Sequence, residues 1–455
     1  MIQSILIANR GEIASRIIRT CKKMNIRTVA IYSEADRDAE HTVLADEAYL
    51  VGESSVKESY LNQDRILLIA RDANVDAIHP GYGLLSEQAI FAEKCRADGF
   101  CFIGPDASVI SLMGDKLQAR KTMMEAGVPV IPGTDAVETI EDTLFEANHI
   151  GYPVMLKAAS GGGGIGITIC RSDDDCQKAF EKNKKQAALF FGDGALYIEK
   201  YVENPRHIEL QVLADGKGHT LVFGERECSV QRRHQKIIEE APSPFLTDER
   251  RQEMINMALK AAQAIQYQNA GTIECLVDED GMFYFLEMNT RLQVEHPVTE
   301  EIYKLDLVEW QIRIASGDTL PWKQHELRTT GHAIEARIYA EDPVRFFPSP
   351  GTVKEIELPE APHIRHECPI KAGSVISHFY DPMIAKLIVH GKDRNDAIAK
   401  LENALNDYKV IGIKTNIPAI KAIVDHPIFK QGGATTAFMD TYKDELTRRI
   451  QEVNQ

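Results

Sequence analysis

Over residues 1–110, short apolar runs alternate with stretches of helical character: ILIANR, GEIASRIIRTCKKMN, RTVAIYS, RILLIARDANVDAIHPG and QAIFAEKCRADGFCFIG. Parallel strands need a long crossover, which a helix supplies, so this alternation predicts an α/β doubly wound unit with helices on both faces of a parallel sheet. The turn after the first run, NRGEIASR, lacks GxGxxG and gives little support to a dinucleotide site. A linker helix is expected around GDKLQARKTMMEAG, closed by VPVIPG. Residues 130–203 then carry a glycine run between strand-like segments, as a small lid does. From 204 to about 445 the pattern is that of a larger α+β region rich in strands, ending in the helical stretch KDRNDAIAKLENALNDYK.

In the strand-rich region, EMNTRLQVEHPVTE places Glu287, Asn289, Arg291, Gln293 and Glu295 at every second position. On a strand these five polar groups project from one face, either as a solvated surface or as a site. Upstream, GTIECLVDEDGMFYFLE reads as a hairpin, with Asp280-Gly281 as a two-residue turn. That turn pairs 279 with 282, 277 with 284, and 274 with 287. Glu274 then faces Glu287 with α-carbons roughly 4.5 to 5.5 Å apart. Opposed carboxylates repel unless a cation lies between them, and oxygen-only donors suit Mg²⁺ or Mn²⁺ with phosphate and water completing the shell.

The 52 Lys and Arg residues are outnumbered by 68 Asp and Glu, giving a net charge of -16, which argues against nucleic acid or anionic membrane as the main partner. No long apolar run or signal-peptide pattern is present, which predicts a soluble, cytoplasmic protein. The eight cysteines form no CxxC and sit mostly in apolar segments, so reduced structural thiols are expected.

Three further segments bear chemistry. PVMLKAASGGGGIGITI sets Lys157 at a strand end before Gly161, Gly162, Gly163 and Gly164. Glycine lets backbone N–H groups close over phosphates; a ligand-free flexible loop is the alternative. A Walker A loop needs Gly-Lys-Ser/Thr leading into a helix, and Ile167-Thr168 stand there, so P-loop NTPases are excluded. YIEKYVENPRHIELQVLAD carries Glu199, Lys200, Tyr201, Val202, His207 and Glu209. ERECSVQRRHQKIIEEAPSP packs Arg226, Arg232, Arg233, His234 and Lys236 into eleven residues of an acidic chain, as an anion site or a solvated charged face. A glycine loop, a carboxylate pair and a basic cluster together are the parts of phosphoryl transfer.

These motifs, with HPGYG, HAIEARIYAEDP, FFPSPG, YDPMIAKL and GIKTNI, resemble the ATP-grasp enzymes and, within them, the biotin carboxylases, over nearly the whole chain. The resemblance implies an ATP-grasp fold with an N-terminal Rossmann-like domain (1–113), an ATP-grasp domain (114–330) with a mobile lid at about 130–203, and a C-terminal catalytic domain (331–447). Carried over by position, Lys116, Lys157 and the glycines would hold ATP phosphates. Glu199 to Val202 would receive the adenine, and His207, Gln231 and His234 would line the nucleotide. Glu274, Glu287 and Asn289 would bind Mg²⁺ or Mn²⁺, and Lys236, Arg291, Gln293 and the Val294 backbone bicarbonate. Glu295 would be the base, with Arg337, Tyr82 and Asp381 at biotin; an ordinary salt bridge is the alternative for Arg337. The partners implied are a biotin carboxyl carrier protein, carboxyltransferase subunits and a second copy of the chain.

No lysine here follows a methionine, whereas carriers display Met-Lys-Met, so biotin is expected as a substrate on a separate protein. The pattern departs from the family at Ile165, Ile167, Leu84, Gln88 and Tyr303-Lys304. A carbamoyl-phosphate-type ligase, a dehydrogenase and a non-catalytic relative are the competing readings. HAIEARIYAEDP and YDPMIAKL speak against the first, the missing glycine fingerprint against the second, and the presence of Lys236, Arg291, Glu295 and Arg337 against the third. The final carboxyl acceptor is expected to be acetyl-CoA, with another acyl-CoA, pyruvate or urea as alternatives.

Overall fold

The computed structural model describes residues 2–159, 166–192 and 194–453, so Gly161 to Gly164 and Ile165 lie outside the described residues. Strands β1 (Ser4–Ile7), β2 (Arg27–Ser33), β3 (Glu47–Gly52), β4 (Ala77–His79) and β5 (Cys101–Phe102) form the expected parallel sheet in the order β3-β2-β1-β4-β5. The helix Gly11–Lys23 buries Ile13, Ala14, Ile17, Ile18 and Cys21 at helical spacing against one face of this sheet. Strand order reverses between β1 and β4, so the segments leaving the carboxyl ends of these two strands diverge, the place where a ligand crevice forms in such sheets. Asn9 ties its two lips by donating to the carbonyls of Pro80 (2.7 Å) and Tyr82 (2.9 Å). Gly81 is required at this closure: its φ is +66° and a Cβ would stand 2.8 Å from the Asn9 amide nitrogen.

Next come β6 (Val154–Ala158), β7 (Thr168–Cys170) and β8 (Leu196–Lys200), an antiparallel sheet in the order β7-β6-β8. Helices Ile140–Ile150 and Asp173–Phe191 cover it and close a separate small core around Val154, Leu156, Phe180 and Ile198. The remainder is organised by eight antiparallel strands. Five are β9 (Arg206–Asp215), β10 (Thr220–Arg232), β11 (Gln235–Ala241), β12 (Gln268–Val277) and β13 (Phe283–Asn289); the others are β14 (His332–Tyr339), Met383–Gly391 and Ile364–Glu367. Their spatial order is β13-β12-β9-β10-β11-β14, then Met383–Gly391 and Ile364–Glu367. This sheet is continuous across residue 330. The helix Asp248–Ala264 packs over one end, and Arg394–Asp407 with Ile417–Val424 over the other.

Two details of the β12–β13 hairpin differ from expectation. The Gly281 N–H donates to the Asp278 carbonyl at 3.1 Å with Gly281 at φ +76°, so the loop spans three residues, 279–281. Val277 therefore pairs with Phe283, not Tyr284, and residues 279 and 282 are not partners. A bulge then shifts the register between Cys275 and Glu274, Leu286 takes the extra place, and Glu274 faces Glu287 after all. The strand also ends at Asn289, so the alternation of Arg291, Gln293 and Glu295 is not that of a strand.

The helix His296–Tyr303 ends on Lys304 in the left-handed region (φ 54°), where glycine is ordinarily preferred. Tyr303 turns inward, edge-on to Phe223 with centroids 5.3 Å apart, in a cluster with Trp310 and Trp322. Lys304 is exposed, and its 3.5 Å contact with Glu301 is worth little. Lys304→Gly should therefore raise stability by about 0.5–1 kcal/mol through relief of the backbone conformation; a lower thermal midpoint would contradict this.

Candidate active site

Strand register builds the site. Arg226 on β10 faces Glu209 on β9, Glu209 faces Glu274 on β12, and Glu274 faces Glu287 on β13, so three carboxylates stand in one row across three strands. Such a row is repulsive unless cations interleave it. Arg226, with no exposed surface, donates to Glu209 Oε1 at 2.5 Å and, through its other nitrogens, to Gln211, Thr299 and Thr272.

Lys236 supplies the second cation. It sits just past the β10–β11 turn, whose two residues Arg233 and His234 both adopt left-handed angles (50° and 64°) without glycine. That is a type I′ turn made of unfavoured residues, a local strain at the edge of the site. Lys236 Nζ donates to Glu209 Oε2 (2.6 Å), Glu274 Oε1 (3.0 Å) and Glu295 Oε1 (2.6 Å). Its ammonium fills the space between these carboxylates, which leaves the Glu287 side of Glu274 for any further cation. Of the basic cluster in the sequence, Arg232 pairs instead with Glu341 at 2.9 Å, and Arg233 and His234 are exposed on the turn, so the cluster is not one anion patch.

Glu295 is the residue that caps the helix His296–Tyr303, with Pro297 starting the first turn. It is fully buried, with Lys236 on one oxygen and Arg337 Nη2 on the other at 2.9 Å. Burial alone would push its carboxyl up, but Lys236, Arg337 and Arg226 hold it well below the usual carboxylate range. Arg291 donates to Glu87 (2.8 Å), Asn289 Oδ1 (2.8 Å) and Gln293 Oε1 (2.9 Å), and Gln293 donates to Glu274 (3.0 Å). The five polar residues thus do converge, through a loop and a helix start rather than a strand face. The Val294 carbonyl accepts from Lys386 at 2.7 Å.

Glu274 and Glu287 fit a divalent cation. Burial and the facing Glu274 push the Glu287 carboxyl up, with Lys116 and His207 only partly offsetting them, so the pair is short of positive charge. Asn289 adds a third polar side chain, whose Oδ1, the atom able to ligate a cation, accepts from Arg291 at 2.8 Å. His207 joins this edge, its Nε2 3.1 Å from Glu274 Oε2 and its Nδ1 2.8 Å from the Gln231 amide.

On the smaller sheet, the β6–β8 register sets Lys157 opposite Tyr197, and its ammonium donates to Glu199, two places along, at 2.6 Å. Lys200 points elsewhere, donating to the carbonyls of Gly151 (2.8 Å) and Tyr152 (3.1 Å), while the Tyr201 N–H is held on Pro153 (3.0 Å). Lys116 is exposed at the first position of helix Lys116–Glu125. Tyr82, on the crevice lip, donates to Glu12 and lies within the field of Arg337. Asp381 is exposed and acts on Tyr339, which lies beside Arg337, and on Glu341, which pairs with Arg232. No local pattern marks Glu87, whereas Lys386 interrupts an apolar strand and Glu209 sits two places from His207.

Residues 1–110 match the model of the biotin carboxylase N-terminal domain, 115–323 the ATP-binding domain of the carbamoyl-phosphate synthase L chain, and 335–441 the biotin carboxylase C-terminal domain. The biotin carboxylase of Halalkalibacterium halodurans is 58% identical over 450 residues, which span 99% of this chain and 100% of the relative. Among solved structures, the Campylobacter jejuni biotin carboxylase in complex with β,γ-ATP superimposes with a TM-score of 0.94 at 45% identity, covering 97% of this chain and 99% of that one. The biotin carboxylase domain dimer of Hydrogenobacter thermophilus 2-oxoglutarate carboxylase, with MgADP, ADP and bicarbonate, gives 0.93 at 46% identity over 98% and 99%. With three models matched in order and more than half of the residues shared end to end, the chain belongs to the biotin carboxylase family.

Proposed function

We propose that the chain carboxylates biotin borne on a separate carrier protein, using ATP and bicarbonate, as the first half-reaction of a biotin-dependent carboxylase. The observation that carries this reading is the buried Glu295 carboxylate held between Lys236 and Arg337, next to the opposed Glu274–Glu287 pair. ATP is bound by Lys116, Lys157, the segment Glu199 to Val202, with Lys200 contributing its backbone only, and His207, Gln231 and His234. A Mg²⁺ or Mn²⁺ ion held by Glu274, Glu287 and Asn289 would neutralise phosphate charge. Lys236, Arg291, Gln293 and the Val294 backbone orient bicarbonate, and Glu295 takes its proton as the oxygen attacks the γ-phosphorus and ADP leaves with the bridging oxygen. A base held so far below its usual range is weak, so it works by placement. The carboxyphosphate breaks to CO₂ and phosphate, and phosphate takes the ureido proton of biotin. Arg337 stabilises the enolate-like oxygen that results, beside Tyr82 and Asp381, and the deprotonated ureido nitrogen adds to the CO₂ to give carboxybiotin.

The chain acts as a dimer with carrier and carboxyltransferase partners, and acetyl-CoA is the acceptor proposed. Among the described residues no helix is long and apolar enough to cross a membrane. The test is ATP cleavage by the isolated protein, which should require bicarbonate, rise with high free biotin, and rise far more with a biotinylated carrier. Cleavage indifferent to both bicarbonate and biotin would refute the proposal. For the metal, Glu287→Lys should abolish Mg²⁺-dependent cleavage with the fold intact, since a fixed ammonium replaces the ion without its coordination; undiminished turnover would remove the assignment.

A further inference from the structure

Behind Arg337 lies a second pair of facing carboxylates. The register sets Glu239 on β11 directly opposite Glu335 on β14, and Arg337 directly opposite Lys386 on the strand Met383–Gly391. Like charges therefore face one another across each strand boundary, and unlike charges meet along and between strands only at an offset of two residues. Arg337 settles its side by donating to Glu239 (2.6 Å) and Glu295 (2.9 Å). Lys386, with no exposed surface, turns away to the Val294 carbonyl (2.7 Å) and to Glu12 Oε1 (3.1 Å).

Glu335 is left over. It has no exposed surface, and neither of its oxygens has a hydrogen-bond partner among the described residues. An ionised carboxylate would not leave both oxygens unmatched with Arg337 two places along its own strand and Lys386 on the next. Burial pushes the Glu335 carboxyl well above its ordinary range; Lys386 and Arg337 oppose this, while Glu239 and Glu295 reinforce it. Tyr82, which donates to Glu12 on the crevice side, lies within the same field.

We propose that Glu335 is a positioning residue that acts as an uncharged carboxylic acid. It fills the space between Arg337 and Lys386 and draws neither, so Arg337 stays on Glu239 and Glu295, and Lys386 stays on the carbonyl of Val294. Ionised, it would pull both cations off the proposed base and the proposed bicarbonate loop together. This inference rests on the roles given above to Arg337, Val294 and Glu295.

The test uses the full chain with free biotin. Wild-type protein without bicarbonate-dependent ATP cleavage would remove the functional reading itself, before any variant is compared. Given that activity, Glu335→Ala should lower the biotin-stimulated rate at neutral pH about tenfold or more, and Glu335→Gln should restore it to within about threefold, with nucleotide binding equal in both. The infrared difference between wild type and Glu335→Gln should show a protonated-carboxyl C=O band in the wild type, a readout that stands even if the alanine variant fails to fold. A carboxylate band in its place, a glutamine variant as slow as the alanine one, or an alanine variant as fast as wild type would each overturn the proposal.

Discussion

Glu295→Gln is expected to bind MgATP as the wild type does and to lose bicarbonate-dependent ATP cleavage by about 10²–10⁴-fold, the usual span for removing a positioned proton acceptor. Glutamine is nearly isosteric, so the loss isolates proton removal, with one complication. The carboxylate accepts from Lys236 on one oxygen and from Arg337 on the other. An amide can satisfy only one of them and turns an NH₂ toward the second cation. Arg337 should therefore relax toward Glu239, which already holds it at 2.6 Å, and biotin stimulation should fall along with the chemical step. Nucleotide affinity should not change, because the nearest proposed nucleotide groups, His207 and Gln231, bond to each other and to the Cys228 carbonyl rather than to Glu295. A large rise in the ATP KM at unchanged kcat would show that Glu295 belongs to nucleotide binding instead.

The parallel N-terminal sheet was legible because its apolar runs are short, separate and divided by clearly amphipathic helices. The facing of Glu274 and Glu287 was legible for a weaker reason. A turn assigned as two residues and an unforeseen bulge at Leu286 displace the register by equal and opposite amounts. Nothing in VDEDGMFYFLE distinguishes Asp280-Gly281 at a two-residue turn from Gly281 closing a three-residue one. The regular spacing from Arg291 to Glu295 misled in its structural meaning, since period two also arises where a chain leaves a strand and a proline starts a helix. What could not be read was pairing at a distance. Glu87 reaches Arg291 from more than 200 positions away, and Glu239 and Glu335 meet only through the β11–β14 register.

Lys236→Gln should be the most damaging single change to the site. Its ammonium lies within 3.0 Å of Glu209, Glu274 and Glu295, all buried, and among the described residues no other cation touches all three. Breaking a buried ion pair from one side costs about 3–5 kcal/mol, because the charge left behind remains buried and unpaired. Glu209 keeps Arg226 and Glu295 keeps Arg337, so Glu274 is the most exposed to the loss. The pH dependence follows from the direction of its shift. Burial would raise the Glu274 carboxyl, yet Lys236 and then His207 hold it far below its ordinary 4.5. A carboxyl depressed in the fold contributes stability that is complete above its unfolded value and is lost as pH falls through the folded one. Without Lys236 the folded value rises, so the acid limb of the stability curve should move to higher pH, and the same should hold for Glu295. Turnover should fall at every pH, since the proposed bicarbonate site loses its central cation while the base becomes harder to keep ionised. Mg²⁺ should recover part of the stability but none of the turnover, because it can neutralise Glu274 from the Glu287 side without reaching Glu295. An acid limb superimposable on that of the wild type, or a stability unaffected by Mg²⁺, would show that Lys236 does not hold these carboxylates together.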